Sequence, residues 1–266
     1  MPGYDSRAPR LFVDARFKEG AELPLDRAAA NYLRNVLRLK NGDTILLFNG
    51  RDGEWKGTLS APGKRALAVE LAEQTRPQPP AADLHYLFAP IKHARLDYMV
   101  QKAVELGATR LQPVLTRHTQ SRRVNLERMQ ANAIEAAQQC GILTVPEIAK
   151  PVELKALLGR ASPERLIVFC DESADVADPV AALGAARNEP TALVPLEATK
   201  AMAIAVLIGP EGGFDEEERA ALLKLPNVVR LALGPRVLRA DTAAVAALTL
   251  VQAVLGDWLK PEPSKT

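Results

Sequence analysis

The sequence contains few cysteines, few aromatic residues and no long apolar run. Cys140 and Cys170 are the only cysteines among 266 residues, and two are too few for a disulfide framework. The apolar runs are much shorter than the roughly 20 residues that span a bilayer, and the first residues lack the apolar core of a secretory signal. We therefore predict a protein of the reducing cytoplasm that does not enter a membrane.

Histidine is also scarce, which bears on metal binding. The three histidines, His85, His93 and His118, form no i, i+4 pair and have no cysteine partner at a zinc-ligand spacing. We expect each to be an ordinary surface or core residue, and we predict no metal site.

The chain is 47% hydrophobic and 25% charged, which is typical of globular proteins. A proline-rich stretch at residues 76–83 has no apolar periodicity and predicts a linker. Before it, short β-like runs at residues 10–14, 44–48, 54–59 and 65–71 are separated by Asn-Gly and Asp-Gly turns, and one helix runs from an Asp26 cap to about Leu39. We predict a small β-rich barrel over residues 1–75.

After the linker, apolar runs alternate with helical patterns. Strands are predicted at residues 84–91, 111–115, 165–170, 202–208 and 228–233. Gly107 is typical of a helix C-cap, Asp215 begins an acidic helix N-terminus, and a last helix starts at Asp241. The alternation predicts a mostly parallel sheet covered by helices on both faces, over residues 84–260, with a tail at 261–266.

Two loops that follow strands are candidates for a ligand site. Residues 208–214 read Ile-Gly-Pro-Glu-Gly-Gly-Phe, and residues 233–243 contain Arg236, Arg239 and Asp241. Ligands of open α/β sheets bind beyond the carboxyl ends of strands. Neither loop matches the Walker or dinucleotide-binding pattern. Each loop alone is more typical of an ordinary turn, but two such loops in one sheet favour a site.

These two loops closely resemble the C-terminal signature loops of the ribosomal RNA small subunit methyltransferase E family, in the SPOUT superfamily. The resemblance continues through residues 31–38 with Gly42-Asp43, residues 92–107 with Pro113, Arg117 and Arg128, and residues 136–141 and 145–148. It covers nearly the whole chain. The sequence departs from the family pattern at Gln138, Ile142 and Asp241, where the family commonly has glutamate, arginine and glutamate.

The resemblance implies an α/β enzyme with an N-terminal PUA-like β-barrel that helps to hold RNA and a C-terminal SPOUT domain threaded into a trefoil knot. It implies a homodimer that uses S-adenosylmethionine. The substrate would be N3 of a uridine in the decoding region of 16S rRNA, on the assembled small ribosomal subunit. The apolar helix at residues 243–255 could be dimer surface or simply core.

The resemblance also assigns the site residues. The cofactor-binding residues would be Ile208, Gly209, Glu211, Gly212, Gly213, Leu233, Gly234, Leu238 and Thr242. Methyl transfer to N3 requires loss of its proton, and a fixed guanidinium at Arg239 would stabilise the resulting anion. Asp241 could accept the proton, or it could instead cap the last helix, as could Thr242.

Several basic residues are candidates for RNA contacts. Arg34 and Arg38 lie four apart and would share a helix face. Lys92, Arg117, Arg122 and Arg123 lie in a basic stretch of the chain. Phosphate contacts by these side chains would position the RNA. Since aromatic residues make up only 5% of the chain, we expect recognition by shape, phosphates and one extruded base. Solvated surface charge is the alternative interpretation.

Two other functions stay open at this point. A SPOUT methyltransferase could act on another rRNA or tRNA position, although the motif at residues 31–38 argues against this. A non-catalytic RNA-binding assembly factor would bind RNA without S-adenosylmethionine, which the intact loop at residues 208–214 disfavours. The departures at Gln138 and Ile142 concern substrate contacts more than cofactor binding.

Overall fold

The computed structural model describes residues 8–61, 66–80, 82–175, 178–188 and 202–258. The chain divides into two compact units, the first comprising residues 1–81 and 134–145 and the second residues 82–133 and 146–266. The predicted tail at 261–266, and Arg65 at the start of a predicted strand, lie outside the described residues.

The first unit contains a five-stranded sheet in the order β1-β3-β4-β5-β2. The strands are β1 (Arg10–Phe12), β2 (Glu22–Pro24), β3 (Thr44–Phe48), β4 (Glu54–Ser60) and β5 (Ala68–Arg76). β1 pairs with β3 in parallel and the other pairs are antiparallel. The predicted β-rich character is confirmed. β2 was not predicted, because its three residues, of which only Leu23 is buried, are too few for a period-2 pattern to be recognised.

The predicted single helix up to Leu39 is wrong in its second half. Helix α1 (Arg27–Asn31) continues as a π-helix (Tyr32–Val36), and the Asp26 side chain caps its start by accepting from the Ala29 N–H. Arg38 then adopts a left-handed φ of 57°, and the Leu39 N–H donates to the Leu33 carbonyl. This turn brings Leu39 onto the apolar core that contains Leu33. Arg34 and Arg38 therefore do not share the helix face that their spacing predicted.

The second unit is built on a parallel sheet in the order β12-β10-β11-β6-β7-β8, with β9 also paired to β7. Its strands are β6 (Leu84–Phe88), β7 (Arg110–Leu115), β8 (Glu147–Ile148), β9 (Val152–Glu153), β10 (Leu166–Cys170), β11 (Ile204–Ile208) and β12 (Val228–Leu231). β11 is buried along its whole length, as expected for a strand covered on both faces. The predicted parallel α/β sheet is confirmed.

The helices that lie wholly within the second unit pack in two groups. They are α2 (His93–Glu105), α4 (Leu154–Leu158), α5 (Pro179–Asn188), α6 (Glu216–Leu223) and α7 (Ala240–Val254). Helix α3 (Leu126–Cys140) begins in the second unit and ends in the first. α7 packs against α2, α5 and β11, whereas α4 packs against α6, β7 and β9. In the described part of the chain, no helix is both long and apolar enough to cross a membrane.

Residues 134–145 belong to the first unit, whereas the sequence predicted an unbroken domain over residues 84–260. The hydrogen bonds give the physical reason. The Gln138 Oε1 accepts from the Phe12 N–H at 2.9 Å, and the Arg76 Nη2 donates to the Gly141 carbonyl at 3.0 Å. Both pairs join residues more than 60 positions apart, which no local pattern reveals.

Candidate functional site

A cavity of about 460 Å³ lies at the carboxyl ends of three neighbouring strands, β10, β11 and β12. The strands end level with one another, since Cys170 pairs with both Ile208 and Leu231. The loops that follow them line the cavity together with Ala240 and Ala243 of α7. This volume lies within the range of about 300–1,000 Å³ that is typical of small-molecule sites.

The loop after β11 depends on glycine for its shape. A Cβ on Gly209 would lie 2.5 Å from the Phe214 ring, and that ring is buried edge-on against Phe169 with centroids 5.0 Å apart. Gly213 has a left-handed φ of 66°, and its N–H closes a turn onto the Pro210 carbonyl. Only glycine allows both the close approach and the left-handed turn without strain.

Helix α6 begins directly after this loop with a capping box, which confirms Asp215 as its start. The Asp215 side chain accepts from the Glu218 N–H at 2.7 Å, and the Glu218 side chain accepts from the Asp215 N–H at 3.2 Å. The box satisfies two backbone donors that the helix would otherwise leave unpaired. It thereby fixes where the glycine loop ends.

The loop after β12 forms the apolar part of the cavity. Leu233, Val237 and Leu238 line it, with Gly234 at a left-handed φ of 94°. Arg239 occupies the N-cap position of α7 through its backbone, without a side-chain capping bond. The alternative of Asp241 or Thr242 as the cap is therefore wrong. Asp241 lies inside the first turn, where its Oδ1 accepts from the Thr242 N–H.

The loop after β10 supplies acidic residues that the sequence analysis missed. Asp171, Glu172 and Asp175 line the cavity. The Asp171 carboxylate is buried and accepts from Arg219 Nε at 2.9 Å and from Arg230 Nε at 2.8 Å. An acidic run directly after a buried strand was the available signal, because such positions lie at the ligand edge of an α/β sheet.

Two ionisable groups at the end of β10, the Asp171 carboxyl and the Cys170 thiol, have pKa values shifted in opposite directions. Burial alone would raise the pKa of the Asp171 carboxyl, but hydrogen bonds from Arg219, the Ser173 N–H and Arg230 bring this pKa below its ordinary value. Asp171 is therefore ionised at neutral pH. Burial raises the pKa of the Cys170 thiol to about 12, so that this thiol stays protonated and is not a nucleophile at neutral pH.

Most predicted cofactor residues meet at this cavity. Those that line it are Ile208, Gly209, Glu211, Gly213, Leu233, Gly234 and Leu238. Gly212 and Thr242 are not among its lining residues. Arg239 and Asp241 directly flank the lining residue Ala240, and the Asp241 Oδ2 lies 4.0 Å from the Arg95 Nε.

The predicted RNA-contacting residues lie in both units. In the first, Arg34 donates to the Ala66 carbonyl and Arg38 is exposed. In the second, the Arg122 Nη2 lies 2.5 Å from the Glu153 carboxylate and the Arg117 Nη1 lies 3.5 Å from the Asp215 carboxylate. Lys92 and Arg123 are exposed. Arg122 and Arg117 thus form ion pairs with acidic neighbours. The side chains of Lys92, Arg123 and Arg38 face solvent.

Among the described residues, no three His, Cys, Asp or Glu side chains are grouped as metal ligands would be. His85 lies beside Asp83 and Arg165, and its burial, reinforced by the Arg165 charge, lowers the pKa of its imidazole to about 4. His118 instead contacts the glycine loop.

Two family models match the chain, one in each part. A model described as an RNA methyltransferase domain matches residues 77–252. A second, described as an RNA methyltransferase PUA domain, matches residues 25–72. The first match covers well over half of the chain, and the second gives the β-rich part a PUA-like fold, as predicted.

Curated and solved relatives extend these matches to nearly the whole length. The ribosomal RNA small subunit methyltransferase E of Rickettsia conorii is 31% identical over 91% of this chain and 94% of its own. A methyltransferase of Legionella pneumophila, solved with bound cofactor SAM, is 27% identical with a TM-score of 0.77, over 94% of this chain and 99% of its own. The ribosomal RNA small subunit methyltransferase E of Neisseria gonorrhoeae was solved with S-adenosyl methionine. It is 25% identical with a TM-score of 0.76, over 95% of this chain and 100% of its own.

Proposed function

The chain belongs to the ribosomal RNA small subunit methyltransferase E family, and from that membership we propose that it methylates N3 of a uridine in the decoding region of 16S rRNA with S-adenosylmethionine. The assembled small ribosomal subunit is the proposed substrate, in the cytoplasm. The observation that carries the proposal is the cavity at the ends of β10, β11 and β12, in which the two predicted loops meet.

The residues around the cavity fit S-adenosylmethionine chemically. This donor combines a flat apolar base with a positively charged sulfur that carries the transferable methyl group. Leu233, Val237 and Leu238 offer an apolar wall for the base, and Glu172 and Asp175 offer carboxylates that favour a cation. The glycine loop leaves backbone groups accessible for hydrogen bonds.

Arg239 and Asp241 would act on the uracil ring. The N3 proton is weakly acidic and has to leave before the ring nitrogen can accept a methyl group. The Arg239 guanidinium would stabilise negative charge on a carbonyl oxygen of the ring, and Asp241 would accept the N3 proton. Both residues lie at the N-terminus of the 15-residue helix α7, whose partial positive charge also favours an anion.

The RNA would be held mainly through phosphates. Lys92 and Arg123 of the second unit and Arg38 of the first are exposed and cationic, and we assign them to phosphate contacts together with Arg34, Arg117 and Arg122. Such contacts make RNA affinity fall with salt concentration. Replacing Arg123 with alanine should therefore weaken RNA binding and reduce the salt dependence, without changing cofactor affinity.

Three properties implied by the resemblance belong to the same proposal. They are the SPOUT topology of the second unit, the threading of its C-terminal end into a trefoil knot, and assembly as a homodimer. One face of helix α7, which includes Ala244, Leu248 and Val251, is buried within the chain, so a dimer surface on this helix would use its remaining residues. Sedimentation of the purified protein tests the dimer directly.

Methyl transfer from labelled S-adenosylmethionine is the deciding experiment. The acceptors are small ribosomal subunits that lack the modification, naked 16S rRNA and tRNA, followed by nucleoside analysis. Label in N3-methyluridine from the subunits alone supports the full proposal. Label in another nucleoside or in tRNA would show that the proposed substrate is wrong. RNA binding without cofactor binding would support the alternative of a non-catalytic assembly factor.

Replacing Arg239 with alanine tests the mechanism. We expect this variant to lose methyl transfer while its affinity for S-adenosylmethionine stays within about 3-fold, because the exposed side chain is not part of the cavity wall. Calorimetry and the transfer assay measure the two quantities separately. Undiminished turnover would remove Arg239 from the mechanism.

A further inference from the structure

Two consecutive glycines in the loop after β11 are held within the loop by one backbone hydrogen bond, which the Gly213 N–H donates to the Pro210 carbonyl. Neither Gly212 nor Gly213 has a side chain that could fix the peptide between them, and Gly213 holds a left-handed φ of 66°. Glycine populates left- and right-handed backbone conformations almost equally. Whenever that hydrogen bond opens, the Gly212–Gly213 peptide therefore has several accessible orientations, of which the structure contains one.

The His118 imidazole supplies a contact that distinguishes these orientations. Its Nδ1 lies 2.9 Å from the Gly212 carbonyl oxygen and 3.3 Å from the Gly213 carbonyl oxygen. Because carbonyl oxygens only accept hydrogen bonds, Nδ1 must carry a hydrogen, which holds for one neutral tautomer and for the imidazolium ion. One side chain thus fixes the direction of two successive carbonyl groups.

His118 is itself held by a rigid turn after β7. The buried side chains of Thr116 and Thr119 hydrogen-bond each other at 2.9 Å, and the Thr119 Oγ1 also accepts from the Thr116 N–H at 2.8 Å. The Arg117 N–H donates to the Glu218 carboxylate at the start of α6. The imidazole therefore projects from a fixed support and not from a mobile surface segment.

The contact between His118 and the loop lies outside the cavity wall. Gly209, Glu211 and Gly213 line the cavity, whereas Gly212 and His118 do not. A Cβ on Gly212 would lie 3.3 Å from the His118 Cβ, so this glycine faces the histidine. His118 can therefore affect a ligand only through the loop.

We infer that His118 is a positioning residue that holds the Gly212–Gly213 peptide in the orientation that binds the methyl donor. The inference rests on the proposed function for the identity of the ligand. Without the imidazole, the loop samples other orientations, and binding has to restore the competent one. The apparent affinity for the ligand is then reduced in proportion to the fraction of molecules whose loop has the binding orientation.

Calorimetry with S-adenosylmethionine and with its demethylated product tests this inference. We compare the wild type with His118→Ala, His118→Asn and the control Gln120→Ala, which changes an exposed residue of the same turn. Asparagine places an amide donor near the position of Nδ1. We expect about 3- to 10-fold weaker binding for the alanine variant, which is the size of one hydrogen bond, and binding within about 2-fold of wild type for asparagine and for the control.

Two further measurements separate positioning from a structural role. Turnover at saturating donor should change less than about 2-fold in His118→Ala, because the competent loop is then fully populated. Amide exchange of Gly213 in the ligand-free protein should be faster in the alanine variant and normal in the asparagine variant. Equal binding and equal exchange in wild type and His118→Ala would overturn the inference.

The same variants and measurements distinguish a failure of this inference from a failure of the proposed function. If the wild-type protein binds neither donor nor product, the proposed function fails, and Gly213 exchange still decides whether His118 orders the loop. If alanine and asparagine weaken binding equally and lower the melting temperature equally, His118 serves only packing, and the positioning role is wrong.

Discussion

Two buried carboxylates, Glu54 in the first unit and Asp171 in the second, form the same kind of ion-pair cluster with arginines but differ in the role of the cluster. Each side chain is 1% exposed and contacts two guanidinium groups. The partners are Arg10 and Arg76 for Glu54, and Arg219 and Arg230 for Asp171. In both cases burial alone would raise the carboxyl pKa, but the hydrogen bonds bring this pKa below its ordinary value.

The difference lies in the partners' exposure to water. The side chains of Arg10 and Arg76 are 4% and 14% exposed, whereas those of Arg219 and Arg230 are 22% and 30% exposed. The Glu54 cluster joins β1, β4 and β5 and is closed to solvent. The Asp171 cluster joins β10, α6 and β12 beside the cavity. We infer that the first cluster mainly stabilises its unit, and the second mainly shapes the site.

Replacing Glu54 with glutamine should have the largest effect on stability. The substitution removes the negative charge that Glu54 supplies to two guanidinium groups, and breaking a buried pair typically costs about 3–5 kcal/mol. Urea unfolding of the whole chain measures this loss. A cost below about 1 kcal/mol would show that water reaches the cluster and would remove the contrast with Asp171.

Replacing Asp171 with asparagine should affect ligand binding more than stability. Its partly exposed arginines can hydrate, so we expect a loss of about 1–3 kcal/mol in unfolding free energy. The cavity wall changes charge and shape, and S-adenosylmethionine affinity should fall by at least about 5-fold. Calorimetry measures this affinity. Folded Glu54→Gln protein serves as the control, and an equal loss of affinity there would contradict the division of roles.

Acid titration should separate the two clusters by pH. A carboxyl with a lowered folded-state pKa contributes stability that is present above its unfolded pKa and lost as pH falls through its folded pKa. The ordinary values are 4.5 for Glu54 and 3.8 for Asp171, so the Glu54 contribution begins to fall at a higher pH. The unfolding free energy of the wild type decreases as pH is lowered. In Glu54→Gln this decrease should be smaller than in the wild type below about pH 4.5, and in Asp171→Asn it should be smaller only below about pH 3.8. Urea unfolding between about pH 6 and pH 3 measures both slopes, and unchanged slopes would mean that neither pKa is lowered.

The two clusters also show what the sequence could and could not predict. The loops at residues 208–214 and 233–243 were predicted because glycine, proline and strand ends are local signals. The Asp171 loop has a weaker local signal, an acidic run directly after a buried strand, and it was missed because its place at the cavity depends on strand order. Cys170 ends level with Ile208 and Leu231, and such pairing between distant segments leaves no local signature.

The error at the first helix has a related cause. Local propensity favours an unbroken helix up to Leu39, but the core of the first unit requires Leu33 and Leu39 on the same apolar surface. A π-helix followed by left-handed Arg38 meets this requirement. Tertiary packing thus overrides a weak local preference. Helix α5 was not predicted although Asp178 and Pro179 form a local start signal, because alanine and glycine make up half of its sequence and give no clear apolar periodicity.

Replacing Arg230 with lysine should have the smallest effect and gives the finest test of the comparison. A lysine ammonium can keep one contact to Asp171 and loses the second hydrogen bond, which Arg230 donates to the Ser173 carbonyl at 3.0 Å. Because the side chain is 30% exposed, water can solvate what is lost, and we expect a cost below about 1 kcal/mol and cofactor affinity within about 2-fold. The matched change in the first unit, Arg10→Lys, should cost more, because a 4% exposed ammonium has no water to replace the missing bonds. Urea unfolding compares the two variants, and equal costs would mean that solvent exposure does not distinguish the clusters.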